Sequence, residues 1–508
     1  MRTVPPQHAL VALVGLALAC TGPVEERPTP RLERRLWDEE ALRDWAMPLA
    51  GLGVPPSFES SASYYARPVD NLRTWPVYHP DFEPPGYREG LRRRGPQPLI
   101  EPHLLRTEQD WIEAGRIVFE SLDTPASRSA DPDVLAHFTS AESVDRHRDA
   151  HHDALTRDGI LLDYRWVVDR DGELKISLSS CFGCHSRLME DGSLLYGAPS
   201  NYDLGTSEAT AKLLAAIDIE PNLPAGERFY AQFGVPWRED DPHTRLRGLT
   251  SDELGAELGQ PDGAPPGTMF ARFNGSPLHA TRMADLRGIR ERAFLDATGT
   301  HRHRGPEDLA RYAILVEYAD STVFGPHSML PRGFHFARVR PPDEALLALA
   351  LYLESLEPAP SPHPFDALAR RGETVFREQR CADCHPPPHY TNNLLVAVDE
   401  WDPPEPRASE LSPRGVGTDP GLALFTRKGT GTYRVPSLRG LWYRGLYEHS
   451  GSVGSLEEWL DPARLEPDHV PGGWRGPGVR TRAIPGHEFG LRLSTDDKRA
   501  LIAFLRTL

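Results

Sequence analysis

The spelling Cys-x-x-Cys-His occurs twice in this 508-residue chain, as CFGCH from Cys181 to His185 and as CADCH from Cys381 to His385. Only one cysteine, Cys20, lies outside these two motifs. Three chemistries use paired cysteines at this spacing. A redox dithiol needs no adjacent histidine, and two copies would be unusual. A four-thiolate zinc site would have to join pairs that lie 200 residues apart, and it leaves both histidines without a role. Covalent haem c uses every residue of the motif: two thiols bond the porphyrin vinyl groups, and the neighbouring imidazole becomes the proximal iron ligand. Two haem c groups are therefore expected, anchored by Cys181 and Cys184 and by Cys381 and Cys384, with His185 and His385 on the irons.

If each haem has its own domain, the flanking sequence should repeat. Before the second motif runs ARRGETVFREQR, and far before the first runs EAGRIVFESL. Both carry Gly and Phe at matching helical positions, Gly115 with Phe119 and Gly372 with Phe376. The closing strings LALALYLESL (347–356) and RALIAFLRTL (499–508) match as well, each after a helix-start signature in PPDEALLA or STDDKRALIA. Paired opening and closing helices are how a small cytochrome c domain wraps its haem. The chain should thus be mainly α, with two cytochrome c-type haem domains and long loops. In the first copy a long insertion separates the opening helix from the motif, and DYRWVVDRDGELKISLS within it predicts a β-hairpin.

The organisation expected is a lipoprotein-type signal peptide (1–20), a Pro- and Arg-rich N-terminal arm (21–103) and an N-terminal haem domain (104–356). A Pro-rich linker (357–366) and a C-terminal haem domain (367–508) follow. Residues 9–19 form an apolar run too short to span a bilayer, ending in Ala17-Leu18-Ala19-Cys20. That ending resembles a lipobox, so Cys20 is the expected lipidation site, with Ala17 where leucine is usual. The mature protein is then expected in the periplasm or cell envelope, held by lipid, with the outer membrane as the favoured site. A net charge of −16 argues against nucleic-acid partners. The 43 Gly and 50 Pro imply much loop.

The sixth iron ligand decides whether a haem only passes electrons or also binds a small molecule. The last methionine is Met329, so the second domain offers histidines: His389, His449, His469 and His487. His389 is too close to its motif to reach the opposite haem face, and His469 sits in a Pro- and Gly-rich loop. His487, 21 residues before the final leucine, is the favoured distal ligand, with His449 left open. Counting back equally from Leu356 reaches His335, which is either the matching ligand of the first iron or a loop residue that coincides, with Met329 nearby. The stretch DRHRDAHHDA reads as a solvated helix rather than a metal site.

The second half resembles bacterial di-haem cytochrome c peroxidases and their methylamine-utilisation relatives, through RGETVF…CADCHPPPHYTNN, GTDPG, YRVPSLRGLWYRGLYEHSGSVGSLEEWL and LSTDDKRALIAFLRTL. That resemblance implies a distal ligand at His487, often methionine in the family. It also implies that Tyr433, Arg439 and His449 line the second haem and its propionates. Ser450 stands where the family usually has Asp. The middle segment, RFNGSPLHATRMADLRGIRERAFLDATGTHRHRG, resembles the di-haem rubber oxygenases, which would place Phe273 and Asn274 near the first iron, with His301 and His303 nearby. Trp237 is a candidate by position for electron hopping between the haems, a packed tryptophan being the plainer reading.

These expectations lead to an oxidoreductase reacting with hydrogen peroxide or dioxygen at the first haem. The second haem would exchange electrons with a redox partner protein or small donor. The alternative is a non-catalytic electron carrier with both irons six-coordinate, which His335 would create. A haem-based sensor would need an output domain that the sequence does not display.

Overall fold

The computed structural model describes residues 30–151, 154–202, 223–259, 265–269, 275–317, 322–327, 338–399, 401–403 and 407–508. Cys20, Phe273, Asn274 and His335 lie outside the described residues. The fold is mainly α, with long loops and small β-hairpins.

Six helices position the site: α1 (Glu108–Ser121), α2 (Pro306–Glu317), α3 (Asp343–Ser355), α4 (Ala367–Glu378), α5 (Leu456–Trp459) and α6 (Thr495–Thr507). Local chemistry sets their starts. Thr107 and Asp110 form a capping box at α1, with Asp110 N donating to the Thr107 hydroxyl and Thr107 N to the Asp110 carboxylate. Asp366 and Ser494 accept from backbone N–H groups in the first turns of α4 and α6. Helix α3 is apolar almost all round and is buried accordingly, as a helix with no polar stripe must be.

Helix α1 crosses α3, and α4 crosses α6, in the same way. A methyl group added at Gly115 would sit 1.9 Å from Ala348 O and 2.7 Å from Tyr352 Cβ. Added at Gly372, it would sit 1.9 Å from Ala500 O and 2.7 Å from Phe504 Cβ. Only glycine lets the backbones approach this closely. The expected hairpin is present as β2 (Ile160–Val168) and β3 (Leu174–Leu178), with β1 (Thr74–Tyr78) added antiparallel to β2. Segment 30–103 also packs inward: Leu36, Trp37, Trp45 and Tyr64 join Phe119, Ile314 and Leu346 in one core. The carboxylate of Asp343 at the start of α3 accepts from Leu36 N (3.0 Å) and Tyr65 OH (2.5 Å).

The repeat reaches beyond the helix pairs. Strand β4 (Thr281–Arg282) has its counterpart in β6 (Thr432–Arg434), which pairs with β5 (Leu395–Ala397). Gly288 N donates to Leu356 O (2.6 Å) and Gly440 N to Leu508 O (2.8 Å). Leu295 N donates to His301 O (3.0 Å) and Tyr447 N to Val453 O (2.8 Å). The two copies also bond each other reciprocally: Arg282 N donates to His449 O (3.1 Å), and Arg434 N to Ala297 O (2.8 Å). Every partner is displaced by the same interval as Gly288 from Gly440. The halves therefore meet through an internal, self-complementary contact of the kind that joins symmetric dimers.

Candidate haem sites

Both motifs face one cavity of about 480 Å³ at this contact. Cys181, Cys184 and His185 line one part of it and Cys381, Cys384 and His385 the other. Each histidine is oriented by its Nδ1, which donates to a backbone carbonyl: His185 to Ala284 O (3.0 Å) and His385 to Tyr390 O (3.0 Å). Fixing one ring nitrogen this way leaves Nε2 as the available ligand atom. Burial lowers the His385 pKa, which keeps its ring neutral and able to bind a metal.

Across the cavity from His385 stands His487, with ring centroids 6.5 Å apart and planes at 59°. Two imidazoles sharing one metal through bonds of ~2.0 Å would have centroids about 6.3 Å apart. Burial, then the neighbouring His385 and Arg464, pushes the His487 pKa down to about 3. His487 adopts φ +50°, a conformation a side-chain-bearing residue holds only when its surroundings impose it. Here His487 N donates to Val416 O (2.7 Å), and the buried Arg464 guanidinium donates to Gly486 O (2.7 Å) and His487 O (3.0 Å). Gly486 (φ +81°) is required, since a Cβ there would lie 2.5 Å from Val416 O. Trp459 and Phe489 hold the His487 ring from either side, each with its centroid 5.1 Å away. The other histidines considered for this role are engaged elsewhere: His389 pairs with Glu291 (2.6 Å) and His469 with Glu458 (2.9 Å).

Arginines supply the cavity's charge. Arg282, Arg287, Arg292, Arg434 and Arg444 all line it. Burial, reinforced by the nearby Arg444, pulls the Arg282 guanidinium down to about 10, and burial does the same to Arg292. Arg434 is pulled down by burial and by Arg292 and Arg282. Asp285 answers part of this charge, accepting from Arg444 Nε (2.9 Å) and Tyr443 OH (3.0 Å). Burying this much positive charge is costly without anions. The propionates of two haems would supply four carboxylates, so thiols, imidazoles and arginines together fit two haem c groups. Among the described residues no three His, Cys, Asp or Glu side chains converge on a single metal-ion site.

The other candidates fall in different places. Tyr433 and His449 line the cavity with rings stacked 4.0 Å apart. Tyr433 Oη accepts from Ala423 N (3.1 Å), donates to Asp419 O (2.9 Å) and lies 3.0 Å from His449 Nε2. His449 Nδ1 pairs with Glu448. Arg439 is not part of the lining; it pairs with Glu291 (2.9 Å) and Glu357 (3.2 Å). Trp237 is likewise outside the lining, stacked on Phe324 at 5.2 Å, the packed arrangement. His301 packs on Trp45 (4.6 Å) with Nδ1 bonded to Asp296 (2.9 Å), and His303 bridges Arg292 O (3.0 Å) and Glu354 (3.1 Å).

The cavity arginines were missed from sequence although their signal is plain. Arg-x-x-x-Leu-Arg-Gly-x-x-x-Arg occurs at 282–292 and again at 434–444. The sequence reading also missed Tyr312 on α2 and Lys428, both in the wall of the cavity.

No family model matches the chain. A cytochrome-c peroxidase, IdrP1, from Pseudomonas sp. is 27% identical over 231 residues, covering 39% of this chain and 55% of that protein. The methylamine utilization protein MauG of Methylorubrum extorquens is 29% identical over 141 residues, 28% of this chain and 34% of MauG. The chain thus spans about half the length of these curated relatives, or less. Among solved structures, the diheme peroxidase BthA of Burkholderia thailandensis aligns over 59% of this chain and 86% of its own at 16% identity, with a TM-score of 0.26. The curated relatives point to the bacterial di-haem cytochrome c peroxidase and MauG-like superfamily, without singling out a rubber-oxygenase branch.

Proposed function

We propose that this protein is an exported di-haem c-type oxidoreductase of the peroxidase and MauG-like kind. In this reading Cys181 and Cys184 anchor the first haem and Cys381 and Cys384 the second, with His185 and His385 as proximal ligands. Its substrate is hydrogen peroxide or dioxygen, and a redox protein or small donor exchanges electrons with it at the cell envelope, where Cys20 carries the lipid. The resemblance to IdrP1 and MauG supports the class of reaction.

The observation that carries the reading is the histidine pair at the second motif. His385 is faced by His487 at 6.5 Å. In α5, the stripe Leu456, Trp459 and Leu460 lines the cavity, with Trp459 against the His487 ring. The same i, i+3, i+4 stripe in α2 is Leu309, Tyr312 and Ala313.

When bound, the haem irons supply the electron storage and the reaction with oxygen species that no side chain provides. The chain does the rest. His185 and His385 would tune the electron donation to the irons through their Nδ1 hydrogen bonds. The arginines would hold the propionates and favour a reduced, less positive centre. In this reading His487 would close one face of the second haem, and the first haem would keep a face for a ligand near Leu309, Ala313 and Val316 of α2.

EPR of the oxidised protein tests this. One low-spin bis-histidine signal and one site that accepts added ligand, in the oxidised or half-reduced state, is the expected result. Two low-spin centres that take up no ligand in any redox state would instead establish the electron-carrier alternative, in which His335 closes the first haem.

A further inference from the structure

Among the described residues, five histidines line the cavity: His185, His279, His385, His449 and His487. His185, His385 and His487 are given to the irons in the reading above. His279 is buried, and its Nε2 has no hydrogen-bond partner. Burial, then the neighbouring His243, pulls the His279 pKa down to about 4, so its ring stays neutral. His449 is the histidine left over, and its surroundings suit a proton.

Nδ1 of His449 faces the Glu448 carboxylate. Burial alone would raise the Glu448 pKa, but the charge and hydrogen bond of His449, with hydrogen bonds from Ser450, keep it ionised. Ser450 N donates to Glu448 (2.7 Å), and the Ser450 hydroxyl donates to the same oxygen. That commits the Ser450 proton, so the Ser452 hydroxyl, 2.5 Å from Ser450 Oγ, is the donor between the two serines. Arg482 in turn donates to Ser452, and both serines are buried. Every donor in this row points toward Glu448. A carboxylate fixed at Nδ1 raises the affinity of the imidazole for a proton at Nε2.

On the Nε2 side Tyr433 Oη lies 3.0 Å away. Its own proton goes to Asp419 O (2.9 Å), which leaves Oη as an acceptor. Burial, with Glu448, pushes the Tyr433 hydroxyl well above its ordinary pKa, so it stays protonated. The remaining charges around the pair keep their sign near neutral pH. Arg282, whose N donates to His449 O (3.1 Å), and Arg464 both feel the Glu448 charge, and Arg482 pairs with Asp419 (3.5 Å).

Resting on the haem reading above, we propose that His449 is the redox-linked proton acceptor of this cavity. As an electron from the redox donor reduces a haem iron from ferric to ferrous, a proton from solvent binds His449 Nε2, and the net charge of the cavity is unchanged. The added electron favours the proton because opposite charges interact strongly in a low-dielectric site. Reduction of hydrogen peroxide to two waters consumes two electrons and two protons, so holding both in one cavity serves that substrate.

The test uses the full-length holoprotein, with the midpoint potentials of both haems read by spectroelectrochemical titration between about pH 5 and about pH 9. One potential is expected to fall as pH rises, by up to about 59 mV for each tenfold drop in proton concentration, the value for one proton per electron. His449→Gln should flatten that dependence. Glu448→Gln, which removes the anion at Nδ1, should move it to lower pH, and it carries the test if His449→Gln does not assemble. An unchanged low-spin signal from the second haem certifies each fold. Potentials that ignore pH in the wild type overturn the proposal while leaving the haem reading intact. A slope that survives both substitutions unaltered does the same, and assigns the proton to the haem propionates. A chain that binds no haem contradicts the haem reading itself, and the proton acceptor falls with it.

Discussion

His385 and His487 face each other across the cavity with ring centroids 6.5 Å apart. One is fixed by a short motif, the other by a loop bond to Val416 and by Arg464 more than twenty positions upstream. Their separation matches a shared metal, and it supports the proposed role of the second haem in storing and passing electrons.

The helix crossings depend on two glycines. Gly115→Ala and Gly372→Ala each force a methyl group onto a backbone carbonyl that cannot move aside. Each should cost about 3 kcal/mol of stability or block haem assembly. Gly248→Ala, where a Cβ meets nothing within 4 Å, should stay within about 0.5 kcal/mol of wild type. Denaturant unfolding of the holoproteins measures all three, and equal effects at all three positions would refute the close-approach argument.

Arg434→Gln and Arg282→Gln remove cations from the cavity that both motifs share. Loss of positive charge disfavours the reduced iron, so the haem midpoint potentials should fall by tens of millivolts. Spectroelectrochemical titration reads this directly. Unchanged or raised potentials would mean that the arginines do not face the haems.

Glu448 is buried, and burial alone would raise its pKa. The charge and hydrogen bond of His449, with hydrogen bonds from Ser450, instead lower it from 4.5 to about 2. A carboxyl depressed on folding adds stability above its unfolded pKa and loses it as pH falls toward the folded value. Roughly 3 kcal/mol should therefore disappear between about pH 4.5 and 2. Glu448→Gln should be less stable than wild type at neutral pH and should lack this part of the acid transition. An identical acid profile for the variant would contradict the assignment.

Much of this architecture is legible in the chain because the repeat is written in backbone demands. Gly115 and Gly372 recur because the crossings tolerate no Cβ. His487 stood out because the second domain holds no methionine and few histidines. The hairpin at 160–178 follows from its alternation and its Asp-Gly turn. The arginine wall escaped notice because charged residues usually read as solvated surface. Only the internal contact shows that Arg282 and Arg434 point into a cavity. Lys428 was hidden for another reason: it is distant in sequence from Tyr312, whose hydroxyl it approaches. Trp237 was singled out by position alone, and it stacks on Phe324.

The most direct test of the account is the spin state of the second haem after His487→Ala in the oxidised holoprotein, read by EPR and by the near-infrared bands of bis-histidine haem. The account predicts that one low-spin signal disappears and a high-spin signal replaces it, with the first haem unchanged. A low-spin bis-histidine signal that survives the substitution would show that another residue closes the second haem, and would contradict the central assignment.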